Sequence, residues 1–136
     1  MQSNKMQKLI NGAFLLIILI STLFSWFGAA RGVQELKGIA FLTNPLMLIF
    51  IIVTGISIFV SNNKAMNILA SLGFGGIVCV EIYHFLTWYI LTITGEFSLS
   101  TSFDWAYPEF YVALIIAFSA FVFSVFNLFK PQTVVE

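Results

Sequence analysis

The 136 residues include one cysteine, one histidine and three prolines, and only 9% of them are charged. A lone cysteine closes no disulfide within the chain, which excludes a stapled secreted scaffold. A lone histidine leaves a metal centre short of ligands, so no metal and no cofactor is expected. Six Lys/Arg balance six Asp/Glu, which removes the basic field that nucleic-acid binding requires. Soluble domains carry about a quarter charged residues to keep their surfaces hydrated, and 9% falls far short of that. The chain is instead 60% hydrophobic and 17% aromatic, with 16 phenylalanines and a mean hydropathy of +0.99. This composition predicts an integral membrane protein.

A bilayer core of about 30 Å takes about 20 apolar residues in a helix. Four runs approach that length, at 9–27, 45–61, 65–93 and 110–129. The expected fold is therefore all-α: one domain, 1–136, forming an antiparallel four-helix transmembrane bundle with outer loops 28–44 and 94–109. The third run would rise about 43 Å and must tilt or protrude, whereas the second is near the minimum. Asn44-Pro45 and Pro108 mark helix starts, Ser61-Asn62-Asn63 a tight turn, and Lys130-Pro131 a stop. Lys5 and Lys8 before an apolar stretch, with Gly28-Ala29-Ala30 after it, also fit a cleaved leader. The long stretch 13–27 and its close in Phe24, Trp26 and Phe27 favour a retained span.

With four spans both termini share a side. Lys5, Lys8, Lys64 and Lys130 would lie there, against Arg31 and Lys37 opposite, which predicts cytoplasmic termini in a multi-pass plasma-membrane protein. The acids Glu35, Glu96, Asp104 and Glu109 fall in the outer loops.

Glu81 and His84 are the ionisable side chains deep within a run. An acid at that depth costs several kcal/mol unless it is neutral, paired or beside water, so it marks a functional hypothesis. Three residues apart, the two share one helix face. Counted from the outer ends, His84 lies about 14 Å deep and Glu81 about 18 Å, with Thr54 and Ser119 at about 14 Å and Thr22 at about 8 Å. A polar layer in the outer half is expected. It would either fix helix register through hydrogen bonds or act as a proton relay. No Gly-x-Ser-x-Gly elbow accompanies His84, so no catalytic residue is expected and an intramembrane enzyme ranks behind binding and transport.

Ser71, Gly73, Gly75, Gly76 and Cys79 form a small-residue stretch in the third run, which predicts close helix packing, within the bundle or in a homo-oligomer. Loop 94–109 combines Glu96, Asp104 and Glu109 with Trp105 and Tyr107 and has no basic residue. Its aromatics would anchor the spans at the interface, or the loop would form an acidic binding patch for a cationic partner.

The aromatic close Phe24-Ser25-Trp26-Phe27, the short glycine-containing outer loop, Lys64 in the tight turn, Glu81, and the opening Pro108-Glu109-Phe110-Tyr111 together resemble small four-span bacterial membrane proteins. That resemblance spans nearly the whole chain and implies a bacterial cytoplasmic membrane, without implying an activity. The functional expectation is a non-catalytic accessory, regulatory or immunity-type protein acting on another membrane component, either a membrane-protein partner or a second copy. The alternative is an oligomeric transporter or proton-coupled channel component that uses Glu81 and His84.

Overall fold

The computed structural model describes residues 2–28 and 34–131; Arg31, counted above for orientation, lies outside them. The chain is mostly helical. Helix α1 spans Gln2–Ser21 and is followed by strand β1, Ser25–Phe27, and strand β2, Leu36–Lys37. A tight 3-10 turn, Gly38–Thr43, leads into α2, Pro45–Phe59, and then α3, Asn63–Thr87. A widened turn at Ile90–Thr94, the short helix α4 at Leu99–Asp104 and helix α5 at Pro108–Phe129 complete the order.

The helix starts follow local chemistry. Asn44 accepts from Leu46 N at 2.9 Å and caps α2, whose first residue is Pro45. Asn62 accepts from Lys64 N and Ala65 N at the start of α3, and Pro108 opens α5.

Two apolar runs leave the helix before they end. The first run reaches residue 27, yet α1 stops at Ser21. There the Ser21 and Thr22 hydroxyls donate to the Ile18 and Leu19 carbonyls, and the Trp26 indole donates to Ser21 O at 3.0 Å. Side chains thus take over the terminal carbonyls and free Ser25-Trp26-Phe27 to become a strand. The third run reaches residue 93, yet α3 stops at Thr87. Trp88 and Tyr89 turn inward, and the Tyr89 hydroxyl donates to Ser98 O at 2.6 Å and accepts from Ser98 N at 3.0 Å.

These departures build a cap at one end of the molecule. β1 pairs antiparallel with β2, Phe27 bridges to Ala106, Gly28 N donates to Trp105 O at 2.9 Å, and Tyr107 N donates to Trp26 O at 2.9 Å. Gly28 has φ of 116°, and a Cβ there would stand 2.9 Å from Gln34 O and Glu35 Cα, so only glycine suits this turn.

Helix α3 packs against α2 and α5, and α1 packs against the same two. The Asn4 amide donates to Ser61 O at 2.8 Å, and Asn67 Nδ2 donates to Asn127 O at 3.4 Å. These bonds place the α1 start, the α2–α3 turn and the α5 end together. Lys5, Lys8, Lys64 and Lys130 therefore share one end, opposite the cap.

Two apolar clusters fill the interior. One joins Ile18, Met47, Ala70, Phe74, Ile77, Ala117 and Ala120. The other, under the cap, joins Trp26, Phe27, Phe41, Phe85, Trp88 and Phe110. Outside the clusters the helix faces remain apolar: Leu16, Ile17, Ile20, Leu48, Ile52, Ile56, Ile115, Phe118, Val122 and Phe126 are all exposed. A water-facing surface of that kind would be an aggregation liability. Among the described residues α3 and α5 are long and apolar enough to cross a membrane, while α2 is apolar but shorter, at 15 residues.

Candidate functional site

Glu81 is fully buried on α3. Ile77, Val78 and Val80 of the first cluster precede it, and Phe85 and Trp88 of the second follow it. Neither of its carboxyl oxygens has a hydrogen-bond partner among the described residues.

His84 does not pair with Glu81. Its Nε2 lies 3.1 Å from Asn44 Nδ2, and its ring sits 4.4 Å from that of Phe41 and 5.6 Å from that of Tyr83. The amide donates and the ring nitrogen accepts, which places the ring proton on Nδ1. Asn44 therefore has two roles: Oδ1 caps α2 while Nδ2 ties that cap to α3.

The three hydroxyls expected beside Glu81 bond to their own backbone. Thr54 is buried and donates to Phe50 O at 2.8 Å, and Thr22 is buried and donates to Leu19 O. Ser119 is exposed and donates to Ile115 O. It stands on the outer face of α5, because Phe110, Ala113, Ala117, Ala120 and Ser124 set the buried face. The outer-half layer of Glu81, His84, Thr54, Ser119 and Thr22 is thus not assembled as a hydrogen-bonded group.

A different polar layer lies at the lysine end. Asn11 on α1, Ser57 on α2, Asn67 and Ser71 on α3, and Ser124 and Asn127 on α5 are all buried. Their level is set by three aromatic rings: Phe14 lies 6.3 Å from Phe74 and 6.1 Å from Phe123. Asn11, Ser71 and Asn127 each stand one helical turn from those rings toward the lysine end. Asn11 Oδ1, Asn67 Oδ1, Ser71 Oγ and both polar atoms of the Asn127 amide have no hydrogen-bond partner among the described residues. Sequence reasoning missed this layer. Its available signal was the same-face pairs Asn67/Ser71 and Ser124/Asn127.

The small-residue stretch divides between two neighbours. A Cβ on Gly73 would meet the Thr54 side chain and its backbone N, and one on Gly76 would meet the Phe50 ring, both on α2. One on Gly75 would meet Phe121 of α5 at 2.9 Å. Ser71 belongs to the buried polar layer, whereas Cys79 is exposed and outside these contacts.

At the cap, Glu96, Asp104 and Glu109 are exposed. Trp105 is half-buried, its ring 6.0 Å from Trp88 and from Tyr89, so it packs the cap from within. The Tyr107 hydroxyl donates to Glu35 Oε1 at 2.9 Å, and Ser25 Oγ donates to Glu35 Oε2 at 3.1 Å. The bond to Glu35 pushes the Tyr107 phenol above its ordinary value, and the nearby Glu109 charge adds to this. Glu35, Tyr107 and Glu109 thus form one outward acidic surface, with Glu96 apart on the turn before α4.

Among the described residues no three His, Cys, Asp or Glu side chains gather as metal ligands. No known protein family, curated protein or solved structure matches the chain.

Proposed function

We propose that the chain crosses a bacterial cytoplasmic membrane four times, with both termini cytoplasmic, and acts without catalysis by binding another membrane component through its cap. It is then an accessory, regulatory or immunity-type membrane protein. The folded, acid-faced cap carries this reading: residues that could have served as plain linkers form a paired and aromatic-packed surface with Glu35, Asp104 and Glu109 outward. The apolar outer faces of all four long helices and the lysines gathered at the opposite end support the membrane placement. Helix α2 rises only about 22 Å, so the bilayer thins around it or its flanking residues reach the interface.

Affinity capture from native membranes in mild detergent, with the native mass of the eluted complex, tests this reading. The expected result is a stoichiometric partner that survives Glu81→Gln and is lost with Asp104→Asn/Glu109→Gln. A lone monomer, or a partner indifferent to the cap variants, would overturn it.

The second reading is a proton-coupled transport component, favoured by the buried and unpartnered Glu81 carboxyl. It requires water to reach Glu81 past apolar clusters on both sides. Loss of proton flux in Glu81→Gln liposomes, with the fold retained, is its signature.

A further inference from the structure

Helix α1 carries a lateral groove at each end, and the two differ in charge. Near the cap, Ile17, Ile20, Phe24, Val112 and Ile116 line a groove of about 390 Å³ between α1 and α5, with Ser21 and Glu109 as its polar residues. At the lysine end, α1 and Ile58 of α2 line a groove of about 630 Å³, with Gly12, Ala13 and Leu16 along its length and Lys5 and Lys8 contributing the charge. A third groove on α5, around Phe118, Ser119 and Phe126, has no charged residue in its lining.

The hollow at the lysine end has a local cause. Gly12 and Ala13 have almost no side chain, and a Cβ on Gly12 would only just touch Ile58 Cδ1, at 3.8 Å. Larger residues there would fill the space between α1 and α2. Lys5 and Lys8 are three residues apart, so both ammonium groups reach the same side of α1 at the groove's end. The shape offers an apolar channel along the helix axis that finishes in two cations. Its size lies within the range of about 300–1,000 Å³ typical of small-ligand sites.

We infer that this groove binds an anionic phospholipid, with an acyl chain along Gly12, Ala13, Leu16 and Ile58 and the phosphate between Lys5 and Lys8. Charge complementarity selects the occupant. A zwitterionic lipid would gain the same apolar contact, but its own ammonium offsets the phosphate and stands as a third cation near the two lysines, while an anionic headgroup brings an uncompensated phosphate to both. The acidic residue of the groove near the cap makes that second groove a poor match for the same lipid, so the preference is confined to one leaflet. Basic pockets between helices at the cytoplasmic surface are sites of this chemistry in general. The inference rests on the membrane placement proposed above and adds a lipid class to it.

The test reconstitutes the full chain in vesicles of phosphatidylcholine with a minor fraction of phosphatidylglycerol, then measures the lipid retained after mild solubilisation by native mass spectrometry. Wild type should retain phosphatidylglycerol in preference to phosphatidylcholine by about 25-fold, roughly fivefold per lysine. Lys5→Gln/Lys8→Gln should lose most of that preference, and Lys5→Arg/Lys8→Arg should keep it. Ala13→Phe, which fills the groove, should lower retention of both lipids. Equal retention of the two lipids by wild type, or unchanged preference in the Gln variant, would overturn the lipid site while leaving the membrane placement intact. Failure of the chain to partition into vesicles at all would instead overturn the membrane placement itself.

Discussion

Replacing Gly73 with alanine tests the α2–α3 contact, because the added methyl has a backbone atom in its way. The ideal Cβ position stands 2.9 Å from Thr54 N and closer still to the Thr54 hydroxyl. A side chain can swing aside, but a backbone nitrogen moves only with its helix, so α2 and α3 must separate. Overpacking of this kind costs about 1–3 kcal/mol. Alanine recovers about 0.5–1 kcal/mol of helix propensity over glycine. The expected net loss is about 0.5–2 kcal/mol, a change of roughly 2- to 30-fold in the folded-to-unfolded ratio. Gly55→Ala on α2 is the internal control, since nothing lies within 4 Å of its Cβ position, and it should gain about 0.5–1 kcal/mol from propensity alone. Reversible unfolding in mixed micelles of dodecyl sulfate and a mild maltoside detergent measures both. Gly73→Ala as stable as wild type, or Gly55→Ala as damaging as Gly73→Ala, would refute the reasoning.

Three further outcomes follow from the site geometry. Asn44→Ala removes the α2 cap and the His84 contact together and should destabilise by about 1–3 kcal/mol, whereas Asn44→Ser should keep the cap and lose only the tie to His84; the same unfolding assay separates them. Glu35→Gln should return the Tyr107 phenol toward its ordinary value of 10.0, read by ultraviolet titration. Because that value is raised in the folded state, the bond's contribution is present below pH 10 and is lost as pH climbs through the folded-state value. In a Cys79→Ser background, Ser71→Cys should react with a small hydrophilic thiol reagent, because buried polar atoms without protein partners are satisfied by water. Ile77→Cys, in the apolar cluster one step further, should not react.

Helix beginnings were legible because single residues dictate them: Asn44-Pro45, Asn62 and Pro108 act through capping and a missing N–H, which are local effects. Helix ends were less so. Hydropathy does not distinguish an apolar residue that faces lipid from one buried beneath a cap, so Trp26, Phe27, Trp88 and Tyr89 read as helix. Strands of three and two residues carry no readable period. Glu81 was conspicuous as the one acid at depth, but its relation to His84 was not, because the partner of His84 is Asn44, 40 positions away on another element. The polar layer at the lysine end was hidden for a similar reason. Asn11, Asn67 and Asn127 lie on three different helices, and each alone reads as a tolerated polar residue near the end of an apolar run.

The crossing of α2 is a point on which the four-span proposal turns, since among the described residues α3 and α5 are the helices long and apolar enough to cross a membrane and α2 has 15 residues. Single cysteines at Lys37, Lys64, Glu96 and Lys130 in the Cys79→Ser background, treated with a membrane-impermeant thiol reagent before and after permeabilisation, test it directly. Four spans with cytoplasmic termini predict that Lys37→Cys and Glu96→Cys label in intact cells, and that Lys64→Cys and Lys130→Cys label only after permeabilisation. Labelling of Lys37→Cys and Lys64→Cys from the same side would mean that α2 does not cross, and would contradict the account.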